Sequence, residues 1–478
     1  MPAPNVVFVI ADQHRWDFMG YESNGVTLTP DLDRIAAGGT ILRSAYCTSP
    51  LCSPSREAVA SGRYGMNTGC FTNLHELPAG TPTFVSQLRA AGYATCAIGK
   101  THMEIHAYDS DLTGPRHCEL MDSLGWDAIC EVSGNGMLKT GIRCAYSRFL
   151  RDRGAFDSAL RFYRRWRYFM DPRPAGDPEF RPHAWPLAEE LQETAFIGNT
   201  AVRWLRQRDR RRPFFLHVGF AAPHSPIEPN DRHLARYGHE EEPPPVAAAD
   251  PPEWLGEARR GYRAMITHVD HYVGEIRRAL DEQGELDNTV FLYTADHGEM
   301  AGDHGRFGKT SFHEASVRVP LLLAGPGIVR GQDSRALVEL IDLGRTVCDL
   351  CGVPAHELDQ GRGLAGLLAG RTDTHRETVY AEMGCDRMLF DGRYKLMWGD
   401  PHADTRRLGR LHLDKPVDIA PSPARLYDLA EDPHETRDLA ADPSRRELLA
   451  TMLQKLLARL NENLQPQPLK SRGEYRPL

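Results

Sequence analysis

Continuous apolar runs rich in β-branched residues recur at 6–10, 94–98, 214–218, 290–293 and 319–324. Between them lie segments with helical periodicity: 81–91, opened by Pro82 and followed by Gly92, then 187–207 and 262–283. In the last, Tyr262, Met265, Val269, Tyr272, Ile276 and Leu280 keep to one helical face. Unbroken apolar strands alternating with amphipathic helices predict an α/β fold: a mainly parallel sheet flanked by helices. From about Thr378 the pattern changes to short strands at 379–382, 388–390, 394–398 and 426–429, with an Asp391-Gly392 turn and a helix at 445–464. That predicts a smaller C-terminal antiparallel subdomain. The expected division is 1–375, with an insertion at about 130–185, and 376–478, whose end from Gln465, with Pro466, Pro468 and Pro477, reads as an extended arm.

Length and composition narrow the class. At about 150 residues per domain the 478 residues correspond to roughly three domains, or one large core with a satellite. A 41% hydrophobic and 26% charged chain buries a core and is not disordered. Its net charge of −8 lacks the field that gathers nucleic acid, so no nucleic-acid partner is expected. The first apolar run has no basic region before it and reads as a buried strand. The longest later candidate for a membrane span, 317–329, is interrupted by Arg318, Pro320, Gly325 and Pro326. A cytoplasmic protein without a membrane partner is expected, its ten cysteines reduced. Arginines between Arg143 and Arg173, among them Arg161, Arg164, Arg165 and Arg167, interleave with Phe162, Tyr163, Trp166, Tyr168 and Phe169. This reads as an insertion that packs its aromatics and turns its arginines to solvent or another subunit.

In a parallel sheet the chemistry sits beyond the carboxyl ends of the strands. Asp12, Gln13 and His14 follow the first strand, and Asp296 and His297 follow the strand at 290. Carboxylate, amide and imidazole there can converge on one cation. Lys100 and His102 follow the strand ending at 98, and His224 the one ending at 218. With Lys309 they suggest a site built for an anion, with histidines to move protons. In Leu51-Cys52-Ser53-Pro54-Ser55-Arg56, Ser53 reads as an N-cap and Pro54 as the first helical residue, with a stop at Gly62. Cys52 then lies at a helix N-terminus, which favours an anion, with Arg56 one turn in.

Those residues carry a resemblance. Cys52-Ser53-Pro54-Ser55-Arg56 resembles the Cys-x-Pro-x-Arg sequence of type I sulfatases, and Gly99-Lys100-Thr101-His102 resembles their Gly-Lys-x-His signature. Asp296-His297-Gly298-Glu299-Met300, Gly302-Asp303-His304, Gly308-Lys309, Arg318-Val319-Pro320 and Leu426-Tyr427-Asp428-Leu429 come in family order along the chain. The resemblance implies an alkaline-phosphatase-like fold, with the sulfatase-type catalytic domain in 1–375, and formylglycine made from Cys52 by a formylglycine-generating enzyme. The hydrated aldehyde would attack a sulfate monoester, and deprotonation of its second hydroxyl would expel sulfate. Asp12, Gln13, Asp296 and His297, with the modified Cys52, would hold one divalent ion. Arg56 and Lys100 would fix the modified side chain, and His102 would be the base. Lys309 and His224 would bind the sulfuryl group and assist the leaving alcohol, and Asn73 would add a contact to the substrate anion.

Two metal positions depart from the common sulfatase pattern, Gln13 where many have Asp and His297 where many have Asn. One carboxylate fewer and one imidazole more let manganese compete with calcium. The same pairs resemble choline-sulfatase-like enzymes and phosphonate monoester hydrolases. The implied activity is therefore hydrolysis of small anionic sulfate monoesters, with phosphonate monoesters or phosphodiesters as the alternative and a non-catalytic protein on this fold as a third reading. A homo-oligomer is expected.

Overall fold

The computed structural model describes residues 3–23, 26–106, 109–134, 136–166, 177–238, 242–399 and 424–465. Its main sheet has nine strands: β1 (Asn5–Asp12), β2 (Thr40–Tyr46), β3 (Ala94–Gly99), β4 (Ala128–Glu131), β5 (Phe214–Pro223), β6 (Thr289–Ala295), β7 (Arg318–Val319), β8 (Leu321–Ala324) and β9 (Gln332–Glu339). The order β4-β3-β5-β1-β6 is parallel throughout; β8 then joins β6 antiparallel, and β2 carries β8 and β7 antiparallel and β9 parallel. The run at 319–324 is thus two strands broken at Pro320, which has no N–H to give a ladder.

Alternate residues explain why the strands read as continuous apolar runs. Val6, Phe8 and Ile10 of β1 enter the core on one face of the sheet, while Val7, Val9 and Ala11 enter the core on the other. Helices cover both faces, so neither set of side chains is polar. Helix Leu255–Glu282 begins before the expected 262, because Leu255 and Ala258 also face the interior. It packs on helix Glu193–Gln207, which a 3₁₀ turn at Glu189–Leu191 precedes. A Cβ on Gly198 would meet Tyr272 Cδ1 at 2.2 Å, so this glycine sets the close approach of the two helices. Helix Phe84–Ala90 starts after Pro82, where Thr83 and Ser86 form a capping box.

The second sheet, β10 (Val379–Met383), β11 (Asp386–Phe390), β12 (Tyr394–Trp398) and β13 (Arg425–Asp428), is antiparallel in sequence order. Helix Arg446–Asn463 closes it through Met452 and Leu456. Buried Lys395 on β12 ties this sheet to the segment after Lys309: its Nζ lies 2.6 Å from Glu314 Oε1, 2.8 Å from Glu435 Oε1 and 3.0 Å from Phe312 O. In the insertion, Phe162, Tyr163 and Trp166 are buried, whereas Arg161, Arg164 and Arg165 are exposed. Arg167, Tyr168, Phe169, Arg173 and the arm beyond Gln465 lie outside the described residues. All ten cysteines are free thiols, and no described helix is long and apolar enough to cross a membrane.

Candidate active site

The expected residues converge at the carboxyl edge of the main sheet. Asp12 ends β1, Asp296 follows β6, Lys100 follows β3 and His224 follows β5. The chain can turn to Lys100 because Gly99 takes φ 96° and its backbone packs on Gly219, where a Cβ on either would meet a carbonyl oxygen at 2.0–2.1 Å.

Helix Cys52–Ser61 starts two residues earlier than the Pro54 expectation. Leu51, not Ser53, holds the cap position and caps with no side chain; the Ser53 N–H instead donates to Asn73 Oδ1 at 3.0 Å. Asn73 therefore completes the first turn from a separate loop. Cys52 becomes the first residue of the helix, with its side chain at the positive end of the helix dipole. Its Sγ lies 2.9 Å from Lys309 Nζ, 3.2 Å from His297 Nε2 and 3.8 Å from Asp12 Oδ1. Burial and Asp12 both push the thiol up, but Lys100, Lys309 and His297 outweigh them and hold it well below its ordinary value. At Cys47 and Cys70 burial dominates and drives both thiols upward, Lys395 opposing it only weakly at Cys47.

Four fixed charges are interlocked around that sulfur. Lys100 Nζ is 2.5 Å from Asp12 Oδ2, and Arg56 Nε is 2.8 Å from Asp296 Oδ2. Arg56 also donates to Lys100 O at 2.6 Å, joining helix to sheet. Asp296 Oδ1 accepts the backbone N–H groups of Gln13 at 2.9 Å and His297 at 3.0 Å. His297 Nδ1 sits 3.0 Å from Gly298 O, which places one ring proton on Nδ1; against burial, Asp296 and the Cys52 sulfur raise this imidazole, and its Nε2 faces Asp12, Asp296 and Cys52.

A cation fits this set. Ligand atoms of Asp12, Cys52, Asp296 and His297 lie within 4.8 Å of one another, all buried. Gln13 Oε1 is also buried and has no hydrogen-bond partner among the described residues, while its amide donates to Glu299. An orphaned carbonyl oxygen beside two carboxylates and an imidazole suits a hard or borderline divalent ion.

Two histidines are held neutral. Burial first, then Lys309, pushes His224 down to about 4; its Nδ1 faces Ser225 O, so Nε2 accepts from Lys309 Nζ at 2.7 Å. Burial, then Lys100 and Arg56, pushes His102 well down, and its buried Nδ1 has no partner among the described residues. His102 takes φ 59°, a left-handed conformation held by Glu131, which accepts from Thr101 N at 2.7 Å, Thr101 Oγ1 at 2.8 Å and His102 N at 3.2 Å. His106 stacks on the His102 ring with centroids 4.3 Å apart.

Glu131, Glu299 and His106 do not stand out in the sequence. Glu131 ends β4, so the strand-end rule would have found it, but 128–131 is too short and mixed to read as a strand. Glu299 lies inside the Asp296–Met300 motif without an evident task there, and His106 carries no local signal.

The sulfatase family model matches residues 4–353. An arylsulfatase of Clostridium perfringens (strain 13 / Type A) is 29% identical over 417 residues, spanning 79% of this chain and 81% of that protein. The multifunctional alkaline phosphatase superfamily protein PehA of Trinickia caryophylli is 27% identical over 447 residues, spanning 82% of each. The crystal structure of the phosphonate monoester hydrolase of Agrobacterium radiobacter superposes with TM-score 0.77 over 96% of each chain at 24% identity, a likeness of fold.

Proposed function

This chain belongs to the sulfatase family and is a sulfuric ester hydrolase, and on that premise we propose that Cys52, oxidised to formylglycine, is its nucleophile beside one divalent ion. The observation that carries this reading is the placement of Cys52 at a helix N-terminus, against Lys309, His297 and Asp12. Asp12, Gln13, Asp296 and His297 would hold the ion, calcium or manganese by the donor set. Such an ion supplies positive charge that orients the nucleophile and neutralises ester oxygens. Formylglycine supplies, when hydrated, a hydroxyl pair that lets sulfate depart without a second attack on sulfur.

The chain's own residues do the rest. Arg56 holds Asp296 in place, and Lys100 holds Asp12 ionised against the pull of burial. Lys309 Nζ, next to the reacting position, binds the sulfuryl oxygens and passes a proton toward the departing alcohol oxygen, with His224 Nε2 behind it. Neutral His102 accepts the proton released as sulfate leaves. Asn73 supports the helix start at Ser53 and borders the anion. Net, water adds across the ester to give alcohol and inorganic sulfate. Maturation calls for a formylglycine-generating enzyme, and a cytoplasmic setting accords with ten free thiols.

The test is the mass of the Cys52 peptide from protein made with the maturing enzyme. A loss of about 18 Da is the thiol-to-aldehyde change, and an unmodified peptide in active protein overturns the mechanism. Substrate class is read from kcat/KM on 4-nitrophenyl sulfate against 4-nitrophenyl phenylphosphonate. A strong excess for the phosphonate would move the enzyme to the alternative class.

A further inference from the structure

Three aromatic side chains from separate segments meet beside the Lys309–His224 pair. Phe307 lies two residues before Lys309; its ring centroid is 5.2 Å from that of Phe180 and 5.1 Å from that of Trp254. Phe180 belongs to the far end of the insertion. Its neighbour Glu179 accepts from Ser225 Oγ at 3.0 Å and, through its carbonyl, from Ile227 N at 3.2 Å, which fastens Phe180 to the loop carrying His224. Gly308 takes φ 78°, and a Cβ there would lie 3.6 Å from Phe180 Cζ, so the ring borders the backbone directly before Lys309. All three rings are only half-buried, and Phe180 and Phe307 line a hollow completed by Ile227, Leu255, Ala258, Tyr262 and Ala301 together with Arg259 and Glu299. Half-exposed aromatics gathered from three segments, next to the residues that meet the departing oxygen, form a surface for that oxygen's substituent.

Charge selects between possible substituents. An aromatic surface can take a flat apolar ring or a quaternary ammonium. Of the acids around it, Asp177 pairs with Arg181 and His183 and Asp303 with Arg15 and Arg259, while Glu299 accepts from the Ala301 and Gly308 N–H groups and the Gln13 amide and Glu179 accepts from Ser225 Oγ. Lys309 adds further positive charge at the near end. That charge opposes a cationic head, whereas a neutral aryl group would bury apolar area against the rings.

We propose that Phe180, Phe307 and Trp254 form the leaving-group platform of this enzyme and select aryl over cationic alkyl sulfates. The proposal rests on the sulfatase reading above. Its test compares matured wild type with Phe307→Ala, Phe180→Ala and Phe307→Tyr, all checked for fold by circular dichroism. Turnover is measured on 4-nitrophenyl sulfate and choline sulfate, and phenyl sulfate binding to the Cys52→Ala background by calorimetry. Removing one ring is expected to lower kcat/KM for the aryl ester about 10-fold through KM, with kcat nearly unchanged, while Phe307→Tyr stays near wild type. Phe180→Ala gives the same comparison should Phe307→Ala fail to fold. Aryl turnover with KM unmoved in both alanine variants, or a wild-type preference for choline sulfate, overturns the platform and leaves the sulfatase reading standing. Ring-dependent binding of phenyl sulfate with no turnover of any sulfate ester upholds the platform and overturns the hydrolytic reading.

Discussion

Gln13 gives its side-chain amide N–H to the carboxylate of Glu299, 286 residues later in the chain, and its own Oε1 is left buried without a partner among the described residues. The bond fixes which end of the amide is which. Glu299 is itself held by the backbone N–H groups of Ala301 at 2.9 Å and Gly308 at 2.6 Å, so the orientation of Gln13 is set from the Lys309 loop. In Glu299→Gln one acceptor oxygen is replaced by an N–H donor, so either Gln13 or the Ala301 and Gly308 N–H groups lose their acceptor and Gln13 is freed to turn. Metal affinity is expected to fall about 10- to 100-fold, read by calorimetric titration of manganese and calcium into metal-stripped protein. An unchanged affinity would mean that Gln13 needs no such support.

Removing the sulfur position isolates the nucleophile. Cys52→Ala is expected to abolish turnover while melting temperature and metal content stay at wild-type values, because the helix dipole and the carboxylates remain. Activity near wild type would refute the assignment. Asp296→Asn is expected to lower metal occupancy and kcat together, since Asp296 also orients Gln13 and His297 through their backbone N–H groups.

Lys309 bridges Cys52 Sγ and His224 Nε2. Loss of such a donor in Lys309→Ala should cost about 10²–10³ in kcat. If His224 acts only through Lys309, as proposed, the double variant with His224→Ala should be no worse than Lys309→Ala alone. Additive losses, read from steady-state kinetics, would show two independent roles.

Glu193 lies fully buried, and burial raises it to about 8 against the relieving effects of Lys100 and a backbone hydrogen bond from Gly134. An acid with a raised folded pKa keeps its proton in the fold and loses it in the unfolded chain. The fold therefore loses stability as pH rises from about 4.5 to about 8, at about 1.4 kcal/mol per pH unit for this site. Glu193→Gln removes that slope: its melting temperature should match wild type near pH 4.5 and exceed it at pH 7.5. A pH-independent difference would place the effect elsewhere.

Legibility in the sequence tracks the range of each interaction. The strands at 6–10 and 290–293 are readable because both faces of the sheet are covered, so every position has to be apolar. The strand-end rule then exposes Asp12, Asp296, Lys100 and His224 without any knowledge of contacts. The helix start at Cys52 is misplaced by two residues because Ser53 has the side chain of a cap. The actual partner of its N–H, Asn73, comes from a separate loop, and no local propensity reports that. β2, β4 and β9 stay hidden for the opposite reason: their burial is partial and their apolar pattern broken.

By itself the sequence determined the class of fold, the edge of the sheet where chemistry gathers, and the residue types able to hold an oxyanion and a cation. Those properties are local, written in the apolar period and in the residues at each strand's carboxyl end. Only the tertiary structure decided that Lys309 meets Cys52, that Glu299 orients Gln13, that Glu131 holds the His102 backbone, and that Phe180 and Phe307 stand together next to Gly308. Each of these joins residues brought together by the order of strands and the docking of the insertion. Burial at that junction decides which groups are charged and which remain neutral, and it does not exist until the chain has folded.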